Sequence, residues 1–235
     1  MRRFFAEMEN RFDRQIILDG FSDGSIDILK NKQVAVIGAG AVAASALPLL
    51  TSCGIGHLKI CDGDNVSLSN LHRQTLFEES DIGKNKARLV ATRLSKINQS
   101  AQIEIVEKKL ESVDEVRSFI NGVDLCLDAT DSFASRTMIS NACAMENIRE
   151  IACTATEYLS QMFFFDKSFK FSDIVANGDN EETEPFAIFP ASSHLSGIWG
   201  AGATIKILLQ IEEFKAGYMQ QFDFRNNNFF KCNLK

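Results

Sequence analysis

An apolar run, Val34 to Ile37, meets Gly38-Ala39-Gly40-Ala41-Val42-Ala43, and a second apolar stretch continues to Ser52. A G-x-G-x-x-A turn between a strand and a helix admits few folds. Its glycines let backbone come close to a phosphate, and the helix behind them offers bare N–H groups and partial positive charge. Asp62 ends the next expected strand, about twenty residues on, where an acid holds ribose hydroxyls. The turn therefore predicts nucleotide binding without choosing the nucleotide; a tight strand–helix turn with no ligand is its bland rival. The span from Val34 to Gly56 carries no charge and is long enough to cross a membrane. Gly38, Gly40, Pro48 and Gly54 interrupt it, so it reads as strand, turn and helix, with Pro48 expected to weaken or kink the helix.

Apolar periodicity continues the alternation. Strands are predicted at 33–37, 57–61, 102–107, 124–129, 150–154 and 161–165, and helices at 41–52, 84–98, 113–120, 133–147 and 193–211. A long polar loop with one helical turn covers 63–83, and a hairpin at 218–224 and 228–232 turns around Asn226-Asn227. This is α/β logic: a Rossmann-like, mainly parallel sheet with helices on both faces and a smaller antiparallel C-terminal part. No repeat or linker divides the chain, so one domain is expected over 1–235. It comprises an N-terminal helical arm (1–30), a nucleotide-binding part (31–155) and C-terminal strands, crossover loop and helix (156–235). With 45% apolar residues the chain can fill a core, and a net charge of −6 argues against a general nucleic-acid binder. The six cysteines form no C-x-x-C pair and read as buried thiols of a reducing cytosol. Glu7 follows Met1-Arg2-Arg3-Phe4-Phe5 before any apolar leader develops, so the expected location is cytoplasmic, with no membrane partner.

The stretch from Asp62 to Gln74, DGDNVSLSNLHRQ, carries the most chemistry: two acids, three amides, an imidazole and a guanidinium where a plain dinucleotide fold needs only a short connection. Gly83-Lys84-Asn85-Lys86 then opens a helix, placing a cation against the helix dipole, which a nearby anion would relieve. Together with Arg11-Phe12-Asp13-Arg14-Gln15, Gly38-x-Gly40 and Asp128-Ala129-Thr130-Asp131, in this order and spacing, the chain resembles the MoeB/ThiF/HesA family, adenylating relatives of ubiquitin-activating enzymes, from about Arg11 to Leu209.

The resemblance implies an enzyme that binds ATP with Mg²⁺ and joins the C-terminal glycine carboxylate of a small β-grasp carrier to the α-phosphate, releasing pyrophosphate. It implies that Gly38 and Gly40 approach the nucleotide, Asp62 holds the ribose, and Asn70, Arg73 and Lys86 contact the phosphates. Asp131 would help hold Mg²⁺, and Arg14 would reach the phosphates of a neighbouring subunit, making the active unit a homodimer. Each has a plain rival. Arg14 and Arg73 suit surface salt bridges, Lys86 a solvated helix, Asp131 the N-cap of the helix near Phe133, and Asp62 a strand end. Asp64 is open between supporting the site and shaping the turn, and His72 reads as incidental.

The sequence departs from the family in several places. It lacks the two C-x-x-C pairs of many members, so no zinc is expected; an acidic stretch, 173–184, stands between their places as a solvated loop or a lid. The crossover loop, 188–193, has no cysteine; Cys153 follows a strand near the expected place but suits the core, and Cys232 could be exposed. A thioester or persulfide step is therefore in doubt. Ser132 stands where Asn is usual, and Ala43 replaces a third glycine. Two other readings remain open. One is a relative activating a different carboxylate, such as a peptide or the substrate of tRNA threonylcarbamoyladenosine dehydration. The other is a non-catalytic dimeric scaffold, which would have no physical need for Arg14, Arg73, Lys86 and Asp131 together.

Overall fold

The computed structural model describes residues 10–175 and 187–235, and its centre is an eight-stranded sheet. Five strands run parallel: β1 (Gln33–Ile37), β2 (His57–Cys61), β3 (Gln102–Val106), β4 (Leu125–Asp128) and β5 (Arg149–Thr156). Three more extend one side antiparallel: β6 (Leu159–Phe165), β7 (Tyr218–Asp223) and β8 (Asn228–Asn233). The spatial order is β3-β2-β1-β4-β5-β6-β7-β8, so the winding direction reverses between β1 and β4. Ile37 lies opposite both Cys61 and Asp128, and a crevice opens where these strands end.

Alternation along the strands assigns the two faces. Val34 and Val36, with Leu58, Ile60, Leu125, Leu127, Ile151 and Cys153, meet α3 (Ala41–Ser52), α4 (Lys86–Ile97) and α7 (Pro190–Leu208). Ala35, Ile37, Cys61 and Cys126 meet α5 (Val113–Ile120) and α6 (Phe133–Met145). The arm adds α1 (Asp13–Ile16) and α2 (Asp23–Lys30). The close approach of α7 to α3 rests on Gly197, where a Cβ would stand 2.1 Å from the Val42 carbonyl oxygen. Among the described residues no helix is long and apolar enough to cross a membrane.

The differences from the sequence expectation have local causes. Helix α4 starts two residues late because Asn85 caps it, its side chain accepting from Arg88 N at 3.1 Å. Helix α7 starts three residues early because Pro190 takes the first helical position, where its missing N–H costs nothing. Helix α6 stops at Met145, ahead of Asn147 at φ 55°. Helix α3 keeps its expected bounds, Ala41–Ser52, with Pro48 inside it. The loop 63–83 holds two short 3₁₀ turns, Leu68–Asn70 and Glu79–Asp81, not one. Cys153 lies inside β5, buried beneath Gly200, and Cys232 is half-buried. Asp173 ends a 3₁₀ turn, while most of the acidic stretch, 176–184, lies outside the described residues.

Candidate active site

The crevice is a cleft of about 410 Å³. Its floor is the glycine turn. Gly38 has φ +95°, and a Cβ there would sit 2.7 Å from the Ala129 carbonyl oxygen, so only glycine fits. Gly40 is the N-cap of α3 and offers no capping side chain, leaving the first helical N–H groups directed at the cleft. Asp62 ties this turn to the following loop: one carboxylate oxygen accepts from Ala39 N and the other from Asp64 N, both at 2.7 Å. Burial raises the Asp62 pKa despite those two bonds. Each oxygen keeps a lone pair for a further donor.

Lys86, the first residue of α4, is only 6% exposed, and its Nζ stands 3.3 Å from Asp64 Oδ2. Lys109 approaches the other Asp64 oxygen at 3.0 Å. Burial works against the charge on Asp64, yet the Lys109 hydrogen bond and the Lys86 charge hold its carboxyl below the usual range. Asp64 thus stands among cations where a bound anion would compete for them.

Arg73 lines the cleft. Its Nη1 donates to the Ser69 carbonyl at 3.1 Å and to His72 Nε2 at 2.6 Å; a guanidinium only donates, so that imidazole nitrogen accepts. His72 thus touches its neighbour Arg73. Asn70 is not brought to the cleft wall: its Oδ1 accepts from Ser67 N and closes the 3₁₀ turn that precedes Arg73. Asp131 is at the cleft. The N-cap of α6 is Ser132, whose Oγ accepts from Ser135 N at 3.1 Å, so Asp131 does not cap that helix. Arg14 lies exposed on α1 and is not part of its own chain's cleft wall. That helix is anchored by Gln15 Nε2 donating to the Cys53 carbonyl at 3.0 Å.

Sequence reasoning missed four contributors. Arg136 is buried; its Nε meets Asp128 Oδ2 at 3.0 Å and its Nη2 donates to the Thr130 carbonyl at 2.6 Å, fixing the turn that carries Asp131. Its place, within the first two turns of a helix after D-x-T-D, was a readable signal. Gln74 is buried at the cleft beside Gly40, and its Oε1 has no hydrogen-bond partner among the described residues. Lys109 reaches the site because a Cβ at Gly63 would lie 2.5 Å from Lys109 N; only the fold brings these segments together. His194, on α7, places Nε2 3.0 Å from the Arg73 carbonyl oxygen.

A family model described as the ThiF family matches residues 12–235. A probable molybdopterin-synthase adenylyltransferase of Gracilaria tenuistipitata var. liui is 29% identical over 97% of this chain and 66% of its own length. The molybdopterin-synthase adenylyltransferase of Escherichia coli (strain K12) is 34% identical over 66% of this chain and 62% of its own length. The sulfur carrier protein ThiS adenylyltransferase of the same strain is 33% identical over 65% of this chain and 60% of its own. This chain thus spans less than two thirds of the length of these curated relatives. Among solved structures, E. coli MccB with ATP superposes with a TM-score of 0.86 at 18% identity, over 98% of this chain and 72% of that one, a likeness of fold. With the match extending from the arm to the last residue, this chain belongs to the ThiF family.

Proposed function

We propose that this protein is an ATP-dependent adenylyltransferase that activates the C-terminal carboxylate of a small β-grasp carrier ending in Gly-Gly. The observation that carries the reading is the gathering of Asp62, Arg73, Lys86 and Asp131 around one glycine-turn cleft. The cleft has an apolar end at Ile37, Leu110, Met138 and Ile139, suited to a purine, and cations beyond it. Asp62 receives the ribose hydroxyls on its remaining lone pairs. Gly38, Gly40 and the N-terminus of α3 face the phosphates, where Lys86 exchanges Asp64 for phosphate oxygens and Arg73 offers a bidentate fork. Asn70 serves by shaping the turn beneath Arg73. Arg14 reaches the same phosphates from a second copy of the chain, so the working unit is a homodimer.

The reaction has one displacement. The carrier carboxylate oxygen bonds to the α-phosphorus, the bond to the β-phosphate oxygen breaks, and pyrophosphate leaves with that electron pair. The chain's residues position the two reactants and neutralise the charge that moves toward the leaving group. Asp131 fits an Mg²⁺ site: it is a carboxylate beside the phosphate position that is not spent on capping. Among the described residues no cluster of three acidic, imidazole or thiol ligands stands ready, so the ion would draw its other ligands from phosphate and water. When bound, the ion screens the phosphate charge. The cleft wall includes Cys61, whose thiol burial pushes up to about 12, which keeps it a poor nucleophile at neutral pH.

The test is Mg²⁺-dependent ATP–pyrophosphate exchange with the carrier ThiS and with ThiS lacking its last two glycines. Exchange with the intact carrier, lost on truncation and reduced at least about 100-fold by Arg73→Ala or Lys86→Ala, supports the reading. ATP binding without exchange would move the substrate to another carboxylate, and absence of both would leave a scaffold.

A further inference from the structure

We propose that His194 is a positioning residue that sets Arg73 for its contact with the triphosphate, an inference that rests on the adenylyltransferase reading above. Arg73 rides on the loop 63–83, which holds two short 3₁₀ turns and is pinned to the core by Val66 and Phe77 on either side of the arginine. Its local bonds, to the Ser69 carbonyl and His72, lie within the same loop and move with it. The His194 bond is different in kind. It joins residues 121 apart, from a helix packed on α3 to the backbone of the arginine itself.

That helix is a firm base. Gly197 brings α7 against α3, where a Cβ would meet the Val42 carbonyl oxygen at 2.1 Å and Ser45 Oγ at 2.2 Å. Ser45 Oγ also stands 2.9 Å from the His194 carbonyl oxygen, and Ser193 beside it lines the cleft. Helix α3 carries the glycine turn at its N-terminus. His194 therefore connects the phosphate floor, the start of α7 and the arginine loop into one unit. A backbone carbonyl only accepts, so Nε2 carries the hydrogen. A fork-shaped cation needs such fixing, because its two bonds to phosphate form only within a narrow range of position.

The test compares His194→Ala with His194→Gln, whose amide nitrogen can donate to the same carbonyl, each in the native and the Arg73→Ala background. Two readouts are used: amide hydrogen exchange over residues 68–74 without nucleotide, and Mg-ATP affinity by calorimetry. His194→Ala should speed exchange in that segment and weaken ATP about ten-fold, the worth of one hydrogen bond. His194→Gln should stay within about two-fold of the native protein, and His194→Ala should cost little more once Arg73 is gone. Unchanged loop exchange in His194→Ala overturns the tie. Equal losses in both backgrounds, or a folded His194→Gln as impaired as His194→Ala, overturn the action through Arg73. Failure of the native protein to bind ATP would instead sink the adenylyltransferase reading, while loop exchange would still report whether the tie exists.

Discussion

Replacing Glu150 with Gln should flatten the dependence of stability on pH. Glu150 lies on β5 opposite Cys126 of β4, fully buried, and neither carboxylate oxygen has a hydrogen-bond partner among the described residues. The groups facing it are Asp128 on β4 and Arg136, Ser140 and Cys143 on α6. Arg136 is already committed to Asp128 at 3.0 Å, so one guanidinium serves two carboxyls. The arrangement is neutral only if Glu150 keeps its proton. Burial first, and the Asp128 charge second, push its pKa from 4.5 up to about 8, with Ser140 and Arg136 moderating the rise. Between those values the native state holds a proton that the unfolded chain has released. Stability therefore falls as pH rises through that window, and it is constant outside it. At about 1.4 kcal/mol per unit the full fall is about 5 kcal/mol, a large part of a typical domain's stability. Urea unfolding, followed by the fluorescence of Trp199, measures it at intervals from pH 5 to 9. Glu150→Gln should match the native protein near pH 5 and exceed it by several kcal/mol at pH 9. Parallel curves for the two proteins would refute the reasoning.

If Arg14 acts across subunits, mixing inactive Arg14→Ala with inactive Arg73→Ala under conditions of subunit exchange should restore about one quarter of the exchange activity, since half the random dimers carry one intact site; no recovery would place Arg14 elsewhere. Gly197→Ala drives a methyl into backbone at the α3–α7 crossing. It should cost about 3 kcal/mol in chemical unfolding, and a loss below about 1 kcal/mol would show that the helices separate easily. Iodoacetamide at pH 8 should modify half-buried Cys232 first, because burial pushes Cys53 and Cys61 up to about 12 and raises Cys153 as well. Comparable labelling of Cys61, read by peptide mass, would show a reactive thiol in the cleft.

The fold was legible where patterns are local. The strand–glycine–helix turn, the βαβ alternation and the terminal hairpin all follow from spacing, while element ends moved by a few residues, at two helix starts because Asn85 and Pro190 took cap positions. The loop motif pointed at Asp62, Arg73 and Lys86, and these meet in one cleft. Asn70 belongs to the same motif, yet its oxygen is spent on a backbone turn, a distinction that motif spacing does not carry. Arg136, Lys109 and His194 were missed for a common reason. Each acts on the site through a partner brought near by packing: the Asp128 pairing, the contact at Gly63, and the crossing at Gly197.

The winding of the sheet bears on how the chain is made. β1 is the hinge of the strand order, and Val34 and Val36 have no exposure in the finished protein. One of its edges is covered by β2, which follows soon after, but the other waits for Leu125–Asp128. A nascent chain that has not yet reached β4 therefore presents an apolar strand with a row of unpaired backbone groups, a template for chain-to-chain pairing. The vulnerable species in biosynthesis is the half-made chain, and chaperone demand should peak before residue 125 is available and fall once β4 pairs. Protease digestion of ribosome-stalled chains ending on either side of β4 would register that fall, and equal protection on both sides would count against it.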